Sequence, residues 1–347
     1  MSSTIQPFQS KSAWTARDMR DSGNWVHRVS ESDVAEIDAA LRAVQAHGLA
    51  MSDITRESFP LDQFAASLAE IRREVEDGRG FVLIRGIPVD RYSFEEVALI
   101  FWGLGTYMGE TVGQNQMGDV VGHVMDVGRD WNKDHHGRGY QGRDALSFHC
   151  DKNDMVALMC WHPSMSGGES CIASSAAIHN AMLERHPDLL EQLYGPFYVD
   201  YRGEQMAGEK PYYVQPVFTR HEGRVYGRYG RTYITTGQRF AEVPRLTPDQ
   251  IAAVDMVNTL ANDDEFRLDM DFERGDIQIL NNHVILHSRT AFVDWPEAER
   301  QRHLLRLLFL SPTFSDAPAH FQTVRATSRH WRDHPRAPAE IAPILAE

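Results

Sequence analysis

His149-Cys150-Asp151, and His287 far downstream in Asn281-Asn282-His283-Val284-Ile285-Leu286-His287-Ser288-Arg289-Thr290, are residue types that bind a transition metal. Two imidazoles and one carboxylate can hold iron(II) on one face and leave the other face open for a co-substrate and dioxygen. In an extended segment side chains alternate, so His149 and Asp151 share a face while Cys150 points away. One short piece of chain thus offers two ligands. The third must come from elsewhere, and the 287 − 151 = 136 residues between are enough to build most of a barrel before the chain returns. His-x-Asp alone is a weak signal in a chain with 16 histidines and 49 acidic residues. The segment around His287 and the apolar run beyond it add the weight.

That run is Arg302-His303-Leu304-Leu305-Arg306-Leu307-Leu308-Phe309-Leu310, ended by Ser311-Pro312. So continuous an apolar stretch predicts a strand buried on both faces. Arg302 and Arg306, four apart, fall on one face of it. A buried guanidinium needs a hydrogen-bonded anionic partner to offset its desolvation. Structural salt bridges to Asp or Glu would do. Beside a candidate iron site an organic-acid co-substrate fits better, because a planar fork grips a carboxylate bidentately.

The elements that must position these residues are legible in part. Residues 1–24 are polar and read as a loose arm or cover. Ser32 or Asp33 caps a predicted helix through His47, with Ile37, Leu41 and Val44 at helical spacing and Gly48 as its stop. A second helix is predicted over 61–76, a buried strand at Phe81-Val82-Leu83-Ile84, and a helix capped by Ser93 that runs to Leu104 and stops at Gly105. From there to Pro312 short β-rich runs separated by Gly, Pro and Asn indicate an antiparallel barrel or sandwich, interrupted by helices near 176–193 and 247–262. The fold class is mixed α+β, mainly β. Residues 1–79 read as arm and helical cover, 80–312 as the core and 313–347 as a C-terminal tail, effectively one domain.

Other motifs carry less. Gly167-Gly168-Glu169-Ser170 lacks the GK[ST] ending of a phosphate loop and reads as a tight turn between strands. His135-His136 lies in a Gly- and charge-rich loop that reads as exposed, or as a lid. Gln114 and Asn115 sit in a loop entering the barrel, either facing a substrate or supplying ordinary turn polarity. Tyr212-Tyr213 and the run from Tyr226 to Tyr233 interleave aromatic and basic residues, which alternation along a half-exposed strand explains; Arg228 and Arg231 can still line a pocket mouth.

Composition narrows the partners. With 35 basic against 49 acidic residues the net charge is −14, which argues against nucleic acid or an anionic membrane. Cys150, Cys160 and Cys171 are an odd count without C-x-x-C spacing, so neither a disulfide framework nor structural zinc is indicated, and a reducing cytoplasm fits. No stretch reaches the apolar length of a membrane span, and the N-terminus has no signal-peptide pattern. The expected partner is a small-molecule substrate, with homo-oligomerisation left open.

In four ordered segments the chain resembles the taurine dioxygenase-like (TauD/TfdA) family of iron(II)- and 2-oxoglutarate-dependent oxygenases. They are Gly80–Gly86, Phe148-His149-Cys150-Asp151, Gly167–Ser170, and the stretch from Gly275-Asp276 through Asn282 and His287 to Arg302 and Arg306. The resemblance implies a double-stranded β-helix (jelly-roll, cupin-like) barrel with covering helices. It selects His287 over His283, because Asn282 stands five residues before His287 as the family's asparagine does. It implies His149, Asp151 and His287 as iron ligands, Ser170 and Arg302 on the distal carboxylate of 2-oxoglutarate, and Arg306 on the substrate side with Gln114 and Asn115. The reaction implied couples conversion of 2-oxoglutarate and dioxygen to succinate and carbon dioxide with oxidation of a C–H bond of a small, acidic molecule. Family halogenases lack the carboxylate at position 151, so Asp151 implies hydroxylation or a related oxidation. A metal-dependent hydrolase, or a non-catalytic metal-containing binding module, is the alternative.

Overall fold

The computed structural model describes residues 5–115, 117–128 and 138–334. The larger of two main sheets runs in the order Val26–Arg28, Phe81–Arg85, Ile277–Asn281, Met155–His162, His303–Leu310 and Glu110–Val112, with Gly122–Val124 also paired to His303–Leu310. The smaller runs Leu268–Met270, Ser170–Ser174, Ile285–Arg289, Leu146–His149. Its pairings are antiparallel, as are those of the larger sheet apart from the parallel pair Val26–Arg28 and Phe81–Arg85. The protein is therefore mixed α and β. Among the described residues the sheets stay separate, and hydrogen bonding does not close them into one barrel.

The apolar run ahead of Ser311 is the strand His303–Leu310, buried at seven of its eight positions. Its alternation is hidden in the sequence because both faces are dry. Leu305, Leu307 and Phe309 pack with Ile37, Phe64, Leu68 and Phe101 of the N-terminal helices. Leu304, Arg306 and Leu308 face a cavity instead. Arg302 lies one residue before the strand, which starts with a bulge as His303 pairs with His162 and Leu304 with Cys160.

Several boundaries differ from expectation. The first predicted helix spans Glu31–His47 and is capped by Ser30, whose hydroxyl accepts the Asp33 N–H while Asp33 accepts the Ser30 N–H, so the cap lies before the predicted Ser32 or Asp33. Gly48 stops it in the left-handed conformation. The second helix is Gln63–Asp77; Glu36 of the preceding helix accepts the N–H groups of residues 62–64, a distant cap that local sequence cannot announce. Ser93 caps Phe94–Gly105 as predicted. The 176–193 interruption is two helices, Ser175–Arg185 and Pro187–Gln192, and the 247–262 one is Pro248–Ala261, capped by Thr247.

The N-terminal arm is anchored: Phe8 and Trp14 are buried and Ala16–Ser22 is a helix. The aromatic-basic run is not one alternating strand. Its strand ends at Gly227, and Arg231–Gly237 is a helix. The stretch read as a tail carries the helix Ala319–Asp333, four of whose residues, Val324, Thr327, Ser328 and Trp331, line the cavity between the sheets. The expected His135-His136 loop lies outside the described residues.

Candidate metal centre

His149 and His287 are direct cross-strand partners in the smaller sheet. That register closes the long sequence gap between them and sets their ring centroids 4.3 Å apart. Asp151 completes the group: one ligand atom from each of the three residues lies within 4.8 Å of the others. The His149 Nδ1 lies 2.9 Å from the Ser147 carbonyl, which can only accept, so Nδ1 carries the proton and the Nε2 lone pair is left for a metal.

Ionisation favours the same use. Burial raises the pKa of Asp151, but Arg306, the two histidines and Arg228 outweigh it and hold the carboxyl below its ordinary value. Burial, and then the neighbouring His149, push His287 down to about 3, so its imidazole is neutral and able to ligate. Two imidazoles and a carboxylate grouped on a cavity wall suit iron(II).

The ladder ends at His149, so alternation alone does not place Asp151. Asn282 does: its Oδ1 accepts the Asp151 N–H at 3.1 Å and its Nδ2 donates to the Asn153 carbonyl at 3.0 Å. His283 points elsewhere, 3.0 Å from the buried Asp154, which also accepts the Ser311 N–H at 2.8 Å and pairs with Arg325. From the same helix as Arg325, the Ser328 hydroxyl donates to Asn153 Oδ1 at 2.6 Å. The C-terminal helix thus braces the turn beyond Asp151.

Of the expected co-substrate residues, Arg302 and Ser170 line the same cavity as the metal cluster, whose volume is about 210 Å³. Arg302 is buried; its Nη2 is 3.5 Å from the Gly168 carbonyl, and its Nη1 has no partner among the described residues. Burial lowers its pKa to about 10, and the nearby Cys160 and Asp294 offset only part of that cost. Gly167 and Gly168 form the predicted turn with φ of 72° and 77°. A Cβ on Gly168 would stand 3.0 Å from Arg302 Nε, so the glycine lets the guanidinium approach. Ser170 is committed: its hydroxyl donates to Gln278 Oε1 at 3.0 Å.

The residues expected on the substrate side also line the cavity, with different bonding. Arg306 Nε donates to Gln114 Oε1 at 3.0 Å, its Nη1 is 3.9 Å from Asp151, and its guanidinium lies 4.5 Å from the Tyr140 ring centroid. Gln114 donates in turn to the Val120 carbonyl, so it orients Arg306. The Asn115 amide is spent within its own turn, on Asp119 and the Met117 N–H. Arg228 and Arg231 reach the cavity as expected. Tyr201, Tyr213 and Tyr233 line it without having been singled out for a site, as do Lys152 and Arg138, which meet on Glu204. No spacing rule links these loops, and only the adjacency of Lys152 to Asp151 signalled one of them.

Two imidazoles and a carboxylate beside a buried guanidinium, one of whose nitrogens has no partner among the described residues, are the candidate site of an oxygenase-type metal protein. The pattern of the family described as "Taurine catabolism dioxygenase TauD, TfdA family" matches residues 38–308, and the chain belongs to that family. It is a 2-oxoglutarate-dependent dioxygenase that uses iron, dioxygen and 2-oxoglutarate, which sets aside the hydrolase and non-catalytic readings. The chain is 30% identical over 305 residues to FR-33289 synthase of Streptomyces rubellomurinus, covering 87% of this chain and 90% of that one. It is 32% identical to the taurine hydroxylase-like protein SAT17 of Stachybotrys chartarum, covering 85% and 78%. Among solved structures it is similar to an asparagine oxygenase in complex with Fe(II), 2S,3S-3-hydroxyasparagine and succinate, with TM-score 0.65, 16% identity and coverage of 85% and 98%. The non-heme iron oxygenase OrfP, solved with Fe and α-ketoglutaric acid, gives TM-score 0.61, 15% identity and coverage of 82% and 94%. No helix among the described residues is long and apolar enough to cross a membrane.

Proposed function

We propose that this enzyme hydroxylates, or otherwise oxidises, a C–H bond of a small, acidic organic molecule and releases succinate and carbon dioxide. Iron(II) is held by His149, Asp151 and His287, the far carboxylate of 2-oxoglutarate by Arg302 with Ser170 beside it, and the substrate lies against Arg306, Gln114 and Asn115. The observation that carries this reading is the meeting, in one cavity, of the His149/Asp151/His287 group with a buried Arg302 that has an unpartnered N–H. Bound iron supplies the oxidising power; the protein positions, orients and excludes water.

Each residue has a defined part. His149 presents Nε2 because the Ser147 carbonyl accepts a hydrogen bond from its Nδ1–H. Arg306 lies against Asp151. With a divalent ion on that carboxylate, the guanidinium charge is left for an anionic group on the substrate, which supports the acidic class. The fold that houses the site is, in this reading, a double-stranded β-helix jelly roll of cupin type. Two largely antiparallel sheets flanking one cavity, and the likeness to solved oxygenases, support it. Residues 1–79 are its cover and 80–312 its core, with a C-terminal helix added to the wall, in effect one domain. The substrate is a small molecule free in solution, and cytoplasmic residence agrees with three buried free cysteines.

Adding 2-oxoglutarate anaerobically to the iron(II) protein should give a weak visible charge-transfer band, and a panel of organic acids should contain members that stimulate succinate release. No band in the wild type, or full turnover by both Asp151→Ala and His287→Ala, removes the ligand assignment.

A further inference from the structure

Arg302 is not the only buried arginine of this cavity with side-chain nitrogens that find no partner among the described residues. Arg289 ends the strand Ile285–Arg289, two residues beyond His287 and directly cross-strand from Ser170. It is 5% exposed. Its Nη2 donates to the carbonyls of Gly142, at 2.8 Å, and Asp144. Its Nε and Nη1 are buried and find no partner among the described residues, as is true of Nη1 of Arg302. Both guanidinium groups lie on the ring of Phe292, at 4.8 Å and 5.1 Å from its centroid. Two neighbouring arginines, with three donor nitrogens between them that have no partner among the described residues, therefore belong to the cavity lining together with Ser170.

Buried donors left unpaired are costly, and two like charges in one dry place are more so. The neighbouring hydroxyl does not relieve this. Ser170 has a single hydrogen and gives it to Gln278, whose amide nitrogen donates onward to Met270 Sδ. A carboxylate in this cavity would find two arginines and a hydroxyl whose hydrogen is already committed among the lining residues. We infer that Arg289 is a second guanidinium that binds the far carboxylate of 2-oxoglutarate beside Arg302, an inference that rests on the proposed reading of this cavity.

The competing role for Arg289 is purely structural: it ties down residues 142–144, which lead into the strand bearing His149. Binding separates the two. The iron(II) protein is titrated anaerobically with 2-oxoglutarate, and with 2-oxobutyrate, which has the same chelating 2-oxo acid end but no far carboxylate. The charge-transfer band reports each dissociation constant. Arg289→Gln should weaken 2-oxoglutarate by about ten- to a hundredfold, the worth of charge-assisted hydrogen bonds, and leave 2-oxobutyrate unchanged. Arg289→Lys, which keeps the charge and loses the fork, should lose part of the preference for 2-oxoglutarate, and it carries the test if the glutamine variant does not fold. Equal weakening of both acids, or wild-type discrimination between them in the variant that folds, overturns the inference. Arg302→Gln is run alongside. If it too leaves 2-oxoglutarate binding untouched, the assignment of the cavity has failed rather than the role of Arg289 alone.

Discussion

Asn282 holds Asp151 by its backbone: the side-chain oxygen accepts the Asp151 N–H at 3.1 Å while the side-chain nitrogen donates to the Asn153 carbonyl at 3.0 Å. Both ends of one buried amide fix a turn that the sheet has already released. Hydrogen-bonded supports of this kind set the position of a metal ligand as firmly as the ligand's own rotamer.

Replacing Asn282 with Ala should therefore lower iron(II) affinity by about 10- to 100-fold, the usual effect of losing such a support. Asn282→Asp keeps the acceptor for Asp151 and loses the donor to Asn153, so it should fall between. Metal titration followed by the 2-oxoglutarate charge-transfer band reads both. Wild-type iron affinity in Asn282→Ala would show that the turn holds itself.

Gly168→Ala tests the approach of Arg302. The new Cβ would sit 3.0 Å from Arg302 Nε and 2.8 Å from the Ser164 hydroxyl, on a backbone with φ of 77° that alanine rarely adopts. The expected result is a raised KM for 2-oxoglutarate with iron affinity little changed, since the metal cluster is on other strands. A loss confined to iron binding would place the turn elsewhere in the mechanism.

Arg306 decides the substrate class. If its charge is answered by a substrate anion, acids should stimulate succinate release far better than their matched amides. Arg306→Gln should abolish that preference, a change on the order of 2 to 5 kcal/mol for a buried charge pair broken on one side. The opposing account is that Asp151, 3.9 Å away, already neutralises Arg306. Equal stimulation by acid and amide would establish it.

Acid sensitivity should begin near the histidine range. Burial pushes His179 down to about 4, and burial with the neighbouring His123 pushes His303 down to about 3, both from 6.5. Between those values and 6.5 the unfolded chain binds more protons than the folded one, so stability is full above 6.5 and falls as pH drops. Each histidine contributes a slope of up to about 1.4 kcal/mol per pH unit. Tm of the metal-free protein should decline from pH 6.5 to 5; a flat Tm over that window refutes the assignment, and His179→Phe should soften the decline.

The residue types that do the chemistry, their order and the apolar strand ahead of Ser311 were legible because they depend on local chemistry and on periodicity. Gly48, Ser93 and Thr247 mark helix ends through hydrogen bonds made within a few residues, so the linear sequence contains them. What depends on cross-strand register was not. That His149 faces His287, that Arg289 faces Ser170, and that the C-terminal helix braces Asn153 and Asp154 are consequences of pairing between segments more than a hundred residues apart. Glu36 capping a helix 27 residues on, and Gln114 spending its amide on Arg306, belong to the same kind. Sequence determined which groups this protein has for metal and carboxylate. Tertiary structure decided which of their hydrogens are already spent and which are left, because burial and partners exist only once the sheets have met.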